Sequence, residues 1–514
     1  MELAEELTLG GMLRNAEERF PERPAITYHD KSFTYRQFGA ITDRCARIAL
    51  AMGIGRRTHT AVWAESNPYM MVILFALLRI GAIPILVGGC RSARELLAEL
   101  KQSDAEFLLY DDAVRGVRAR DVLPAGEEDL QLKQSSFFTF GHANVQSSED
   151  ALHEAEGRVR AEDVDFMLFT SGTSSGRPKA VVTTHRSRVN VALAQSEMIR
   201  ADENDRFCVS LPMFHCFALT GIVLSAISVG ACMCFPDSIH SEAILRCVEK
   251  DCCTVLNSVP TMFSAMLARR DFSAYDLRSL RCGLIGGSVY TREFFREVND
   301  RFGFVLLPSL GQTEATAGYT GGSLTDDLER RSACVGKLFP HIRVEIRDMK
   351  TGRPLPAGER GEICVSGYNV MQGYYKQEDE TRRTLESGWL HTGDVGYMGA
   401  NGYLYMTGRL KEVIIRGGEN ISPMEVEAVI LSDSRVRAAK LVGVPDPHYI
   451  EEICACVCTD GSITAEEIRQ MVRRELAPFK VPRYVLFMDS LPTTQTGKIN
   501  LAALADTAKK ALGL

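Results

Sequence analysis

Buried helices and buried strands alternate in the hydrophobic pattern of the chain. The segment from Phe33 to Phe38 opens a helix-rich region, and residues 68–78 are apolar enough for a buried helix. They lead into residues 82–87, an apolar run typical of a buried strand. Such alternation predicts an α/β fold.

One uncharged stretch, residues 216–235, has the length of a membrane span. Gly221 and Gly230 interrupt it and Pro236 follows it, so the pattern favours a buried helix followed by a strand. Residues 68–87 have a similar texture, but Arg79 and Gly81 divide them in the same way. We expect no membrane span.

Composition and charge narrow the class of protein. The 514 residues are 45% hydrophobic and 24% charged, which indicates a globular chain of more than one domain. A net charge of -7 argues against a nucleic-acid partner. The N-terminus carries acids without a basic region, so we predict no secretory signal.

Fifteen scattered cysteines fit a reduced compartment, so we predict a cytoplasmic protein. The run Cys454, Cys456 and Cys458 suggests a metal site at first sight. Alternate residues of a strand share one face, but no histidine stands at ligand spacing, which favours packing in the core.

The clearest candidate chemistry lies in residues 166–182, where an apolar strand enters a loop of Ser, Thr and Gly and leaves through Pro178 and Lys179 into a β-branched run. Gly172 and Gly176 let backbone N–H groups approach an anion, and Lys179 supplies charge. A Walker A loop would need Ser or Thr after the lysine, and Ala180 stands there. The pattern predicts a phosphate clamp at the tip of a hairpin, with a plain polar turn as the alternative.

This loop, with Phe-Thr-Ser-Gly-Thr and Gly-Arg-Pro-Lys in order, resembles the signature loop of the adenylate-forming superfamily, which includes acyl-CoA synthetases. The pair Ser174 and Ser175 looks like a one-residue insertion. The resemblance implies that ATP is bound by Thr170, Ser171, Gly172, Thr173, Gly176 and Lys179, with Thr170 also facing Mg²⁺.

A second motif, residues 211–217, resembles Leu-Pro-x-Phe-His of the same superfamily. His215 then borders the acyl pocket and the thiol channel, whereas a lone histidine among apolar residues is otherwise a packed one. No acid lies between residues 211 and 230, which disfavours an amino acid substrate. The implied pocket walls are Cys216, Phe217, Gly286 and Ala315, whose apolar character suggests a medium-chain, alicyclic or aryl acid.

The segment from Ser309 to Glu314 resembles the superfamily's Tyr-Gly-x-Thr-Glu. There Thr313 touches the α-phosphate and Glu314 helps to hold Mg²⁺, a role that suits a carboxylate. Leu310 replaces the aromatic that stacks on adenine, at a loss of roughly 0.5–1.5 kcal/mol of stacking. Further nucleotide contacts are implied for Gly287, Gly311 and Gln312.

Two later motifs resemble the ribose and hinge elements. Asp394, in Thr-Gly-Asp, accepts the ribose hydroxyls, although alone it would read as a turn cap. Residues 408–412 resemble the superfamily's hinge, which implies that Arg409 lies near the ribose and phosphate and that Lys411 is the pivot between the domains.

The tail after the hinge carries its own signals. Ser422, Pro423 and Glu425 predict the start of a helix with a capping box. In the superfamily Gly417 and Gly418 flank the pantetheine channel, an ordinary tight turn being the alternative. The segment Gly497-Lys498-Ile499 resembles a further motif of the superfamily, which implies that Lys498 reaches the reacting carboxylate and α-phosphate and neutralises both.

Together the motifs imply a large N-terminal α/β adenylation domain (1–407) of packed sheets with a small barrel-like part, a hinge (408–411) and a small mobile α+β lid (412–514). They imply an AMP-forming acyl-CoA synthetase that uses ATP, Mg²⁺ and coenzyme A. A carrier-protein ligase and a non-catalytic acyl- or nucleotide-binding relative stay open. So does the oligomeric state, a homodimer being one option.

Overall fold

The computed structural model describes residues 2–87, 93–114, 116–123, 132–170, 178–288, 290–416, 419–446, 449–493 and 499–514. Within these ranges helices and strands alternate along the chain, and the predicted α/β class is confirmed. The helices are Leu9–Arg19, Tyr35–Ala51, Pro68–Arg79, Ala93–Gln102, Ala119–Val122, Phe137–Gly141, Glu149–Arg158, His185–Met198, Cys216–Ala218, Ser225–Val229, Ser241–Lys250, Pro260–Leu267, Arg292–Phe302, Leu328–Ala333, Glu378–Thr384, Pro423–Leu431, Ala465–Glu475 and Leu501–Leu512.

A seven-stranded mixed sheet carries the phosphate-clamp hairpin. The strands from Val164–Thr170 to Lys133–Ser136 in the order below are parallel, and Ile83–Leu86 among them is fully buried, because helices such as Pro68–Arg79 cross over the sheet. Asn67 accepts from the Met70 N–H at 3.0 Å and starts that helix at the predicted residue. In spatial order the strands are Gly373–Tyr374, Lys179–Thr184, Val164–Thr170, Ile83–Leu86, His59–Trp63, Phe107–Tyr110 and Lys133–Ser136.

Two four-stranded sheets form the second layer, linked through isolated parallel bridges at Val255. One contains Arg206–Cys208, Cys232–Phe235, Pro24–Tyr28 and Lys31–Thr34; the other contains Cys282–Ile285, Val305–Leu310, Thr320–Gly321 and Lys337–Leu338.

The predicted barrel-like part is a five-stranded antiparallel sheet, and a further five-stranded sheet belongs to the tail. The first contains Arg343–Arg347, Gly361–Ser366, Trp389–Met398, Leu385–Glu386 and Leu404–Arg409. The second contains Glu419–Ile421, Ile414–Arg416, Ile450–Thr459, Val436–Asp446 and Tyr484–Phe487. A short ribbon joins Ala113–Val114 to Val117–Arg118.

The uncharged stretch 216–235 forms a buried helix and then the strand Cys232–Phe235, as predicted. The helix widens to a π-helical turn at Leu219–Leu224, which the hydrophobic pattern did not indicate. In the described part of the chain no helix is both long and apolar enough to span a bilayer.

One local prediction about the tail is partly wrong. The helix Pro423–Leu431 does begin after Ser422, but the hydrogen bonds of a capping box are not made. The Ser422 hydroxyl donates instead to the Thr407 carbonyl, and Glu425 pairs with Lys480 at 2.7 Å. Tertiary partners therefore replace the local ones.

The cysteine run on the strand Ile450–Thr459 is buried, as predicted. Cys454 and Cys456 pack with Leu504 and Ala508 of the last helix in a hydrophobic cluster. The described cysteines are free thiols.

Candidate active site

The predicted phosphate clamp is the connection between Val164–Thr170 and Lys179–Thr184, which pair antiparallel. Thr170 lies directly opposite Lys179, so the two strands close a hairpin and the hairpin prediction is confirmed. The loop residues Ser171, Gly172, Thr173 and Gly176 lie outside the described residues.

Lys179 is 8% exposed and is held from two directions. Its Nζ lies 2.6 Å from Glu380 Oε2 and 4.7 Å from the centre of the Tyr374 ring. Glu380 belongs to the helix Glu378–Thr384, 201 residues away along the chain. The lysine of the clamp is thus paired with the carboxylate of Glu380.

Glu314 meets the same tyrosine from the other side. The Tyr374 hydroxyl donates to Glu314 Oε1 at 2.9 Å, and the Met371 N–H donates to the Glu314 carbonyl at 2.9 Å. Burial, with the neighbouring Glu314 charge, raises the pKa of Tyr374 far above its ordinary value, so the phenol stays a donor. The structure therefore brings together the predicted phosphate lysine and the predicted metal carboxylate through Tyr374.

The turn that presents Glu314 depends on close backbone contacts. Thr313–Ala315 is a single 3₁₀ turn, followed by Thr316 and Ala317 at φ 52° and 82°. A Cβ on Gly311 would lie 1.9 Å from the Ala317 carbonyl oxygen, so only glycine fits there. Leu310 is 8% exposed and packs in the hydrophobic cluster beneath, with Gln312 at the start of the turn.

Gly286 and Gly287 follow the strand Cys282–Ile285, as predicted. A Cβ on Gly286 would lie 2.8 Å from the Ser309 carbonyl oxygen, which brings this strand end against the one that leads to Gly311. Gly287 is exposed with φ 78°.

The residues predicted to form the wall of the acyl pocket lie around His215. His215 precedes the helix Cys216–Ala218, and its ring centre lies 4.5 Å from that of Phe214. Cys216 Sγ lies 3.6 Å from the Thr313 hydroxyl, which connects this wall to the turn that carries Glu314. Ala315 is fully buried on that turn. The Phe217 ring packs beside Gly221 in the π-helical turn.

Asp394 lies within the strand Trp389–Met398, not in a turn, and is 1% exposed. Arg409 Nε lies 2.9 Å from Asp394 Oδ1, on the adjacent strand. Burial raises the pKa of Asp394 to about 6, although the Arg409 charge opposes the shift. A buried carboxylate with one cationic partner can still accept hydroxyl donors.

The predicted residues of the hinge and tail are described only in part. Lys411 belongs to the 3₁₀ turn Leu410–Glu412, and its side chain lies outside the described set. Gly417, Gly418 and Lys498 are also outside the described residues, so their roles remain predictions.

Sequence reasoning missed Tyr374 and Glu380. It also missed the pair Glu362 and His391, whose carboxylate and Nδ1 lie 2.8 Å apart beside the ribose motif. Glu362 also accepts from the Gly393 N–H at 3.1 Å. His391 directly precedes the Thr-Gly-Asp motif, whereas the other three residues stand in no motif that the sequence analysis used.

The described geometry suits a nucleotide-binding enzyme. Lys179 and Glu314 supply a cation and a carboxylate at the base of a hairpin, and Asp394 supplies a buried carboxylate on a neighbouring sheet. The sequence profile of the family described as AMP-binding enzyme matches residues 13–375, and that of its C-terminal domain matches residues 425–498. The chain belongs to this AMP-binding enzyme family, within the adenylate-forming superfamily.

Individual relatives cover nearly the whole chain. "Putative acyl-CoA synthetase YngI" of Bacillus subtilis (strain 168) is 36% identical over 96% of this chain and 95% of its own. "Medium-chain acyl-CoA ligase ACSF2, mitochondrial" of Danio rerio is 29% identical over 99% and 89%. The structure is similar to that of o-succinylbenzoate CoA synthetase (MenE) from Bacillus subtilis in complex with its acyl-adenylate intermediate, with a TM-score of 0.84, 25% identity and 98% of each chain covered.

Proposed function

We propose that this protein is an AMP-forming carboxylic acid–CoA ligase. In the first step a carboxylate oxygen attacks the α-phosphorus of ATP, forming acyl-AMP and releasing pyrophosphate. In the second step the thiol of coenzyme A attacks the acyl carbon, forming the thioester and releasing AMP. The relatives support this activity, since they are named as acyl-CoA synthetases and ligases.

The observation that carries the proposal is the set Lys179, Tyr374 and Glu314 at the base of the hairpin. Lys179 provides positive charge beside Thr170, where the phosphates are expected, and Glu314 provides an anionic oxygen one tyrosine away. A magnesium ion prefers such oxygen ligands, and Glu314 with Thr170 would hold it. When bound, it would neutralise phosphate charge.

The remaining site residues would position the nucleotide and the acid. Asp394 accepts the ribose hydroxyls, with Arg409 next to it, and Thr313 donates to the α-phosphate. Gly287, Gly311, Gln312 and Leu310 line the base and phosphate path. His215 stands between the acyl wall and the approach of the thiol.

Rotation of the tail separates the two steps. Lys498 neutralises the reacting carboxylate and phosphate in the first step, then withdraws as residues 412–514 turn about Lys411 and bring Gly417 and Gly418 to the pantetheine arm. The tail has its own sheet and hydrophobic clusters, which supports its moving as a unit.

The acid is proposed to be uncharged in its tail: medium-chain, alicyclic or aryl. The apolar or small residues Cys216, Phe217, Gly286 and Ala315 support this choice, as does the absence of an acid between residues 211 and 230. The name of the Danio rerio relative agrees with a medium chain. Free thiols throughout the described chain support a reducing, cytoplasmic location.

The two half-reactions test the assignment separately. Lys498→Ala should lower acid-dependent ATP–pyrophosphate exchange by about 10²–10³, the loss expected for one preorganised charge, and spare thioester formation from supplied acyl-AMP. The exposed lysine Lys510, replaced by alanine, is the control and should change neither reaction. Equal losses in both half-reactions would contradict the role of Lys498.

A panel of acids, assayed for AMP release with and without coenzyme A, identifies the acceptor and the acid. Release that requires a phosphopantetheinylated carrier protein instead of free coenzyme A would favour the carrier-protein ligase. AMP binding without pyrophosphate exchange for any acid would identify a non-catalytic relative.

A further inference from the structure

Five buried cysteines converge under one helix, away from the nucleotide site. Cys208 ends the strand Arg206–Cys208 and lies beside Cys234 on the paired strand, so both side chains point to the same face. The helix Ser241–Lys250 covers that face and buries Cys247 against it, and Cys253 follows the helix. The fifth cysteine, Cys232, is two residues before Cys234 on the same strand. All five are at most 5% exposed.

Three of these thiols lie within about 1 Å of the spacing that the sulfur ligands of one zinc ion need. The Sγ atoms of Cys208, Cys247 and Cys253 all lie within 4.8 Å of one another. Four sulfurs around a tetrahedral zinc, at Zn–S of about 2.3 Å, are about 3.8 Å apart, so each pair has to approach by at most about 1 Å. Cys234 lies beside Cys208 on the paired strand and faces the same side, which makes it the candidate fourth sulfur.

The surroundings supply balancing charge and an entrance. Cys247 Sγ donates to Asp251 Oδ2 at 3.6 Å, and Asp251 Oδ1 lies 3.6 Å from the Arg206 guanidinium. A cavity of about 560 Å³ opens next to the cluster, and both Cys247 and Asp251 line its wall. An ion in this cavity would therefore meet Cys247 first.

We propose that Cys208, Cys247 and Cys253, with Cys234 as the fourth ligand, form a zinc site that ties the helix Ser241–Lys250 to the sheet beneath it. Thiolate sulfur selects thiophilic ions, and zinc with four sulfur ligands is typical of structural sites. Binding replaces four S–H bonds by four Zn–S bonds and releases up to four protons, without change of oxidation state. The site is independent of the ligase activity.

The test uses the full-length protein, stripped of metal by a chelator under reducing conditions and titrated with Zn²⁺ against a chromophoric chelator. We expect one zinc per chain, and Cys247→Ser should weaken binding by more than about tenfold, because losing even a partner of a ligand costs about 10–100-fold. Two matched controls should bind as the wild type does: Cys252→Ser, exposed and adjacent to Cys253, and Cys45→Ser, buried elsewhere.

A second group of close ligand atoms, Glu362, Cys364 and His391, needs its own control. Zinc that persists in Cys247→Ser but is lost in Cys364→Ser would overturn the assignment. Replacing zinc by Cd²⁺ reports sulfur ligation through thiolate-to-metal charge-transfer absorption, which a site of oxygen and one sulfur would show only weakly.

A measurement on the wild type keeps the proposal testable if the variants fail to fold. Zinc should protect Cys247, at the cavity wall, from alkylation and leave the exposed Cys252 reactive, as read by mass spectrometry. Equal alkylation of Cys247 with and without zinc, or no zinc bound to the stripped protein, would show that the five cysteines serve core packing alone.

Discussion

Replacing Tyr374 by phenylalanine tests the centre of the proposed site with the loss of one oxygen atom. The hydroxyl donates to Glu314 Oε1 at 2.9 Å, while the ring lies 4.7 Å from Lys179 Nζ. Phenylalanine keeps the ring under the ammonium and the backbone pairing of Tyr374 with Val181. The variant therefore changes the orientation of Glu314 and little else.

The expected size of the effect of Tyr374→Phe follows from the type of hydrogen bond that is lost. A bond to a charged acceptor contributes about 1.5–3 kcal/mol, and each 1.4 kcal/mol is about tenfold. Because the hydroxyl occupies Oε1, the other oxygen of Glu314 is left for the magnesium ion. Hydrogen-bond partners of ligating carboxylates typically change metal affinity by about 10–100-fold, in agreement with that range.

The assay is acid-dependent ATP–pyrophosphate exchange across a series of Mg²⁺ concentrations. In Tyr374→Phe we expect the half-saturating Mg²⁺ concentration to rise by about 10-fold or more, with kcat restored at high Mg²⁺. Tyr375→Phe is the matched control, because the hydroxyl of Tyr375 donates to Asp104 at 2.7 Å. The reasoning is refuted if both variants have the same Mg²⁺ dependence as the wild type.

Three further predictions concern charge. Glu380→Gln should lower the KM for ATP by up to about fivefold, because the phosphates no longer compete with a carboxylate for Lys179; initial rates against ATP concentration measure this. Since burial raises the pKa of Asp394 to about 6, the affinity for AMP, measured by calorimetry, should fall as the pH drops through 6. In Arg409→Ala the opposing charge is lost, so the midpoint of this fall should lie at a higher pH. Burial lowers the pKa of His185 to about 4, so on acidification the unfolded state binds the proton before the folded state does. Between pH 6.5 and 4 the free energy of unfolding should therefore fall by about 3 kcal/mol more than in His185→Asn, as measured by urea titration.

Sequence reasoning succeeded where the signals are local. The helix predicted from Pro68 begins at that residue, and the hairpin of Thr170 and Lys179 connects neighbouring strands. The composition of the uncharged stretch 216–235 was enough to predict that it is buried.

The partners at the site come from far along the chain and leave no periodic signal. Glu380 and Lys179 are 201 residues apart, and Tyr374 and Glu314 are 60 residues apart. A non-local partner also explains why Ser422 forms no capping box: its hydroxyl donates to the carbonyl of Thr407, 15 residues earlier. The sequence suggested a metal site at Cys454, Cys456 and Cys458 because these cysteines lie within five residues, whereas the converging thiols are spread from Cys208 to Cys253.

The proposed rotation of the tail requires that it buries little apolar surface against the preceding part of the chain, and the packing is consistent with that. The two hydrophobic clusters of the tail draw their members from residues 414–512, while those of the preceding part end at Met406. Polar links between the two parts include Ser422 to the Thr407 carbonyl and Arg360 to Glu425 at 4.0 Å, and the helix Pro423–Leu431 lies next to the strand Leu404–Arg409. Exposed ion pairs contribute at most about 1 kcal/mol and a hydrogen bond about as much, so exchanging them for others costs little. Fusing the two parts by a buried apolar contact would instead hold Lys498 in one place and block one of the half-reactions.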